Sequence, residues 1–146
     1  MNPRLLADPL HQLAHAYQSH MRRALRAAGV ELPPTHVRAL KGIALTPQCT
    51  AQSLTVYMRS DKAQITRVLN DLLAAALIVK HDNPDDGRSR LLELSSSGQA
   101  VLKHAQALES AVGRQMTEGL SSDEVDVFLR TAQRITDNLN GAQHAV

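Results

Sequence analysis

Ile65, Val68, Leu69 and Leu72 recur at i, i+3, i+4 and i+7, the spacing of a helix with one buried face. Soon after that stripe the pattern changes. Leu77 to Asp82 and Arg90 to Leu94 are short β-prone runs, separated by the turn formers Asn83-Pro84-Asp85-Asp86-Gly87. The expected product is a hairpin with Arg88 and Arg90 just past its turn, following directly on an amphipathic helix. A helix sized for a DNA major groove, beside a basic hairpin able to reach the adjacent minor groove, is the plan of a winged helix-turn-helix.

The rest of the chain reads as helices. A first helix is expected from Asp8 to Ala28, with Pro9 at its first position and Gly29 beyond its end. A second runs from Pro34 to Leu45 and is stopped by Thr46-Pro47. A short third spans Thr50 to Met58, and the helix with the clean stripe covers Asp61 to Ala75, with Ser60 as its N-cap. After the hairpin, a long helix is expected from Gln99 to Glu118. A last helix opens on the capping box Ser121-Ser122-Asp123-Glu124 and runs to Leu139. Asn140 to Val146 should fray. The fold class is therefore mainly α with a small β-hairpin wing: a winged helix-turn-helix flanked by terminal helices.

Composition narrows the function. With no Trp, one Phe and two Tyr in 146 residues, Leu, Ala and Val must fill the core. Residues 1–58 carry six Lys/Arg against two Asp/Glu, whereas residues 91–146 carry four against seven. This asymmetry suits a protein that turns one side to a polyanion. One cysteine, Cys49, leaves no intrachain disulfide and no multi-cysteine zinc site. No apolar run reaches transmembrane length and the first residues lack a signal-peptide core, so a cytoplasmic protein without membrane partners is expected. No metalloprotease, phosphate-loop or nucleophile-elbow motif is present, which argues against an enzyme and suggests no cofactor or metal.

With the stripe of the fourth helix facing inward, Arg59, Ala63, Thr66, Arg67 and Asn70 fall outward, and Lys62 and Gln64 lie on the flanks. Arginine pairs bidentately with guanine, glutamine and asparagine with adenine, and lysine and serine hold phosphates. The expected DNA-binding set is Ser60, Lys62, Gln64, Thr66, Arg67 and Asn70 from the helix, with Asp86, Arg88 and Arg90 from the hairpin. Arg88 is placed for a narrow minor groove, with Asp86 orienting its guanidinium. A solvated turn with a self-contained Asp–Arg pair is the alternative.

At these residues the sequence resembles the MarR family of bacterial winged-helix regulators. The likeness rests on Asp61-Lys62, Ile65-Thr66-Arg67, Leu77-Ile78, Asn83-Pro84, Asp86 with Arg88, and Leu92, Leu94, Ser95 and Gly98. Ala75-Ala76 stands where a glycine is usual, and Leu94-Ser95-Ser96-Ser97-Gly98 departs mildly from the common pattern. The resemblance implies double-stranded DNA as partner, a homodimer, and three segments. Residues 1–33 would serve dimerisation and wall a pocket, 34–96 would form the DNA-binding lobe, and 97–146 would supply dimerisation helices. It also implies a repressor of a pseudo-palindromic operator, released by a small, aromatic or phenolic acid bound between the dimerisation helices and the lobe. His11, His15, Tyr17, Met21, Arg22, His36 and Arg38 are the candidates to line that pocket. Three alternatives stay open: a winged-helix protein-interaction module, a metal sensor using the i, i+4 pair His11 and His15, and a redox sensor using Cys49.

Overall fold

The computed structural model describes residues 1–143, which divide into two compact units, residues 1–110 and residues from 111 onward. In the first unit a 3-10 turn, Pro3–Leu6, runs straight into α1, Ala7–Ala27. Pro9 is thus the third helical residue rather than the first. Its missing N–H still falls among the initial amides that lack an intrahelical acceptor, so the helix starts earlier at no cost. Helix α2, Pro34–Leu45, has the expected bounds. Helix α3, Ala51–Met58, is opened by a reciprocal capping box: Thr50 Oγ1 accepts from the Ser53 amide at 3.2 Å, and Ser53 Oγ accepts from the Thr50 amide at 2.7 Å. Gly42 of α2 makes room for α3, because a methyl group there would lie 2.6 Å from the Tyr57 ring.

Helix α4, Lys62–Ala74, is capped by Asp61, not Ser60. The Asp61 carboxylate accepts from the Gln64 amide at 2.7 Å. Aspartate and serine cap about equally well, so sequence alone does not separate neighbours of this kind. The Ser60 hydroxyl instead donates to Gln64 Oε1 at 2.7 Å.

Helices α1, α3 and α4 end alike. The amide just past a left-handed residue bonds back to the carbonyl five residues earlier: Val30 to Leu25, Ser60 to Thr55 and Leu77 to Leu72. Each motif needs a left-handed residue, supplied by Gly29 (φ +77°), Arg59 (φ +51°) and Ala76 (φ +57°). Only the first is glycine.

The wing pairs β1, Ile78–Asp82, with β2, Arg90–Leu94, antiparallel and in register from Ile78 opposite Leu94 to Asp82 opposite Arg90. Its base is tied to the α2–α3 connection by the Leu92 amide, which donates to the Cys49 carbonyl at 2.7 Å. Helix α5, Ser96–Met116, begins three residues before its expected start. Ser95 acts as its cap: Oγ accepts from the Gly98 amide at 3.0 Å and donates to the Ala76 carbonyl at 2.7 Å. Gly98 lies against the Leu77 carbonyl, where a Cβ would overlap the oxygen. The core joins Leu40 and Ile43 of α2, Leu54 of α3, Ile65, Val68, Leu69 and Leu72 of α4, Ile78 and Leu92 of the wing, and Leu102 of α5.

The second unit contains the end of α5, a left-handed Gly119, and α6, Ser122–Gln143. The expected capping box is formed, with Ser121 Oγ and the Glu124 carboxylate each accepting from the other residue's amide. Helix α6 continues through the expected end at Leu139, so residues 140–143 are helical rather than frayed. The remainder of that expected segment lies outside the described residues. Phe128 and Leu129, apolar residues of α6, are 52% and 59% exposed.

Candidate nucleic-acid interface

Helix α4 buries Ile65, Val68, Leu69 and Leu72 and leaves Lys62, Thr66, Arg67 and Asn70 exposed, as its periodicity requires. The N-terminal half of α4 faces the wing across a groove of about 550 Å³. Lys62, Thr66, Arg88 and Arg90 line it, joined by Thr50, Gln52 and Thr55 of the α3 region and by Lys80 of β1. Among the described residues, four cations and no carboxylate border this groove. Lys80 falls within the first expected strand, whereas Thr50, Gln52 and Thr55 are outside the expected DNA-binding set. Their signal was a polar outer face on α3, which any surface helix shows.

The wing tip is braced by its own short polar side chains. Asn83 Oδ1 accepts from the Asp85 amide at 3.0 Å, and Asn83 Nδ2 donates to Ser89 Oγ at 2.9 Å. Asp86 Oδ1 accepts from the Arg88 amide at 3.0 Å. Asp86 therefore shapes the turn through the Arg88 backbone and does not hold its guanidinium, contrary to expectation. Within the described residues, no carboxylate lies within ion-pairing distance of Arg88. An Asp–Arg pair of the kind the alternative reading holds forms at Arg90 instead: its Nε lies 3.5 Å from Asp82 Oδ1 and donates to the His81 carbonyl at 3.3 Å. Arg88 is the freer cation.

A second cavity, of about 530 Å³, opens on the other flank of α4. Tyr17 and Met21 of α1, Arg38 and Lys41 of α2, Tyr57 and Met58 of α3, and Glu109 of α5 border it. Ser60 and Gln64, expected on the DNA side, line it as well. Lys41 Nζ stands 3.9 Å from the Glu109 carboxylate. Partial burial, and then the Glu109 charge, push the Tyr17 phenol above its ordinary range.

Of the residues expected in an effector pocket, the structure brings together Tyr17, Met21 and Arg38 only. His11 and His15 are exposed on α1, and Arg22 is exposed with its guanidinium 3.5 Å from Ser19 Oγ. His36 turns elsewhere: its Nε2 meets Asp71 Oδ2 of α4 at 2.9 Å, while Nδ1 is buried without a partner among the described residues. Among the described residues, no three His, Cys, Asp or Glu side chains gather as a metal site would require. Cys49 is buried and its thiol is pushed up by that burial, an effect only partly offset by a hydrogen bond from Ser53. A thiol so placed has little thiolate character. No helix among the described residues is long and apolar enough to cross a membrane.

This geometry has counterparts. The family model described as MarR family matches residues 31–89. A probable transcriptional regulator from Pseudomonas aeruginosa, known from its crystal structure, is 30% identical, with a TM-score of 0.73 and coverage of 89% of this chain and 98% of that one. The transcriptional repressor CouR, solved bound to a 23-mer DNA duplex, superposes with a TM-score of 0.83 at 23% identity, covering 91% and 93%. The transcriptional regulator HosA of Escherichia coli O111:H- is 23% identical over 125 residues, 86% of this chain and 92% of that protein.

Proposed function

The chain belongs to the MarR family of transcription regulators, and on that premise we propose that it represses transcription by binding a pseudo-palindromic operator as a homodimer. One observation carries the DNA-binding reading: a groove between α4 and the wing bordered, among the described residues, by four cations and no carboxylate. Arg67 and Asn70 extend this face along the exposed side of α4 and would read base edges, with Lys62 and Thr66 positioned on phosphates. Arg88 would enter the minor groove. The DNA-bound state of CouR supports the assignment by analogy of fold.

Within this reading, residues 34–96 form the DNA-binding lobe and the segments 1–33 and 97–146 serve pairing. Leu5 and Leu10 of the N-terminal segment and Phe128 and Leu129 of α6 are each more than half exposed. A second copy related by a two-fold axis would cover such surfaces and present two recognition helices to two half-sites. The cavity beside α1 is the proposed effector site. Its volume suits a small organic ligand. Arg38 would meet a carboxylate, and Met21, Leu25 and Val37 would wall an aromatic ring.

Electrophoretic shift with operator DNA selected from random duplexes tests the DNA reading. Arg67→Ala should cost about 1–3 kcal/mol and relax specificity at one position. Arg88→Ala should weaken binding as well, and the logarithm of affinity should fall linearly with log salt. If neither substitution alters affinity and salt has no effect, the groove is not a DNA interface.

A further inference from the structure

The helical neighbours of Arg67 decide whether its guanidinium is free to reach a base. Residues three and four positions away are Ala63, Gln64, Asn70 and Asp71, so Asp71 is the one carboxylate at a spacing where side chains on a helix meet. It stands roughly 40° around the axis from Arg67. An Arg–Asp pair at i, i+4 is the local expectation, yet it does not form: among the described residues no carboxylate lies within ion-pairing distance of Arg67. Asp71 Oδ2 is taken instead by His36 of α2, whose Nε2–H donates to it at 2.9 Å. The His36 side chain is 14% exposed and that of Asp71 66%, so the ring is the fixed partner and the carboxylate the movable one. Nδ1 of His36 is buried without a partner among the described residues. Packing alone would be served better by an apolar ring, which has no unpaired nitrogen to bury.

We propose that His36 is a positioning residue for DNA recognition: by holding Asp71 it keeps that carboxylate from capturing Arg67, whose guanidinium stays open to a base edge. The inference rests on the reading of α4 as the recognition helix. With His36 in place, the ring satisfies one oxygen of Asp71, and the five N–H donors of Arg67 are available to guanine. Without it, the nearest cation along α4 is Arg67 itself, one turn back. Each half-site would then have to break an Arg–Asp pair before Arg67 could reach DNA. His36 touches neither Arg67 nor the cationic groove, and its effect passes through Asp71 alone.

The experiment measures the affinity of the full chain for its selected operator in His36→Phe, Arg67→Ala, the two combined, and Asp71→Ala. An exposed i, i+4 ion pair competes roughly 2-fold, so across two half-sites His36→Phe should weaken binding about 3- to 5-fold. In the Arg67→Ala background the same change should cost under about 2-fold, because Asp71 has nothing left to capture. A residue that merely braced α4 would shift Lys62 and Asn70 as well, so a loss of about 2-fold or more in that background overturns the proposal. So does a His36→Phe loss below about 2-fold when Arg67 is present. Asp71→Ala tests the same idea without disturbing the half-buried ring, and decides it even if His36→Phe fails to fold. It should bind operator at least as tightly as wild type, whereas weaker binding overturns the proposal, since a brace would be lost with either partner. Arg67→Ala at wild-type affinity refutes the reading of α4 as the recognition helix, and the role of His36 with it.

Discussion

Replacing Ala76 by glycine should stabilise this protein. Ala76 holds φ +57° at the end of α4, where its amide bonds to the Leu73 carbonyl and the following amide to Leu72. An L-residue in this conformation costs roughly 1–2 kcal/mol, because Cβ crowds the next carbonyl oxygen. Glycine removes that cost but adds roughly 0.5–1 kcal/mol of unfolded-chain entropy. The Ala76 methyl group is exposed, so little burial is lost. The net gain should be about 0.5–1 kcal/mol, or roughly 1–4 °C in Tm for a chain of this length. Gly29 provides the matched control. It occupies the equivalent position of α1 at φ +77°, and a methyl group there would meet no atom within 4 Å. Gly29→Ala should lose about what Ala76→Gly gains, since no packing term enters either change. Denaturant melts of both variants at one protein concentration decide the matter. If Ala76→Gly is destabilising while Gly29→Ala is costly, backbone strain at residue 76 is not what the φ angle implies.

Gly98→Ala should act in the opposite sense to helix propensity. Alanine in a helix normally gains about 0.5–1 kcal/mol over glycine, but here its Cβ would overlap the Leu77 carbonyl, which belongs to the backbone and cannot swing aside. Moving α5 away strains the Ser95–Leu77 and Gly98–Ser95 hydrogen bonds, so a loss of about 2–3 kcal/mol is expected in the same melts. At Cys49 the folded state raises the thiol pKa, so its contribution is fully present below the unfolded value and declines as pH rises through it. The unfolded thiol titrates near about 8.5. Above about pH 8.5, therefore, wild-type stability should fall more steeply than that of Cys49→Ala, as read from denaturant midpoints; parallel curves would refute the assignment.

What the sequence disclosed was local chemistry. Helix α2 has its expected bounds because Pro34 and Thr46-Pro47 punctuate it within the chain itself. The wing register follows from Asn83 to Gly87 closing a turn between two β-prone runs. What it concealed depended on distant partners. The start of α5 is set by Ser95 meeting Ala76 and Leu77 across the base of the wing. His36 looked like a pocket residue by position on α2, yet it bonds Asp71, thirty-five residues away. Gln64 was placed correctly on a flank of α4, but periodicity could not say that α1 would enclose that flank. The αL positions show the same limit from the other side: glycine announces one such turn, whereas Arg59 and Ala76 carry no such signal.

The hydrogen bond from Leu92 to Cys49 divides the wing into two parts with different obligations. Its base is stitched to the helix-turn-helix and its apolar residues belong to the core, so changes there disturb the whole lobe. Its tip, residues 83–89, is braced by Asn83, Asp86 and Ser89 acting on one another. Insertions or exchanges in this loop need not be repaid inside the protein. The reach of Arg88 can thus be retuned across generations without shifting the register of α4, so under the proposed DNA-binding role the wing and helix contacts can diverge at separate rates.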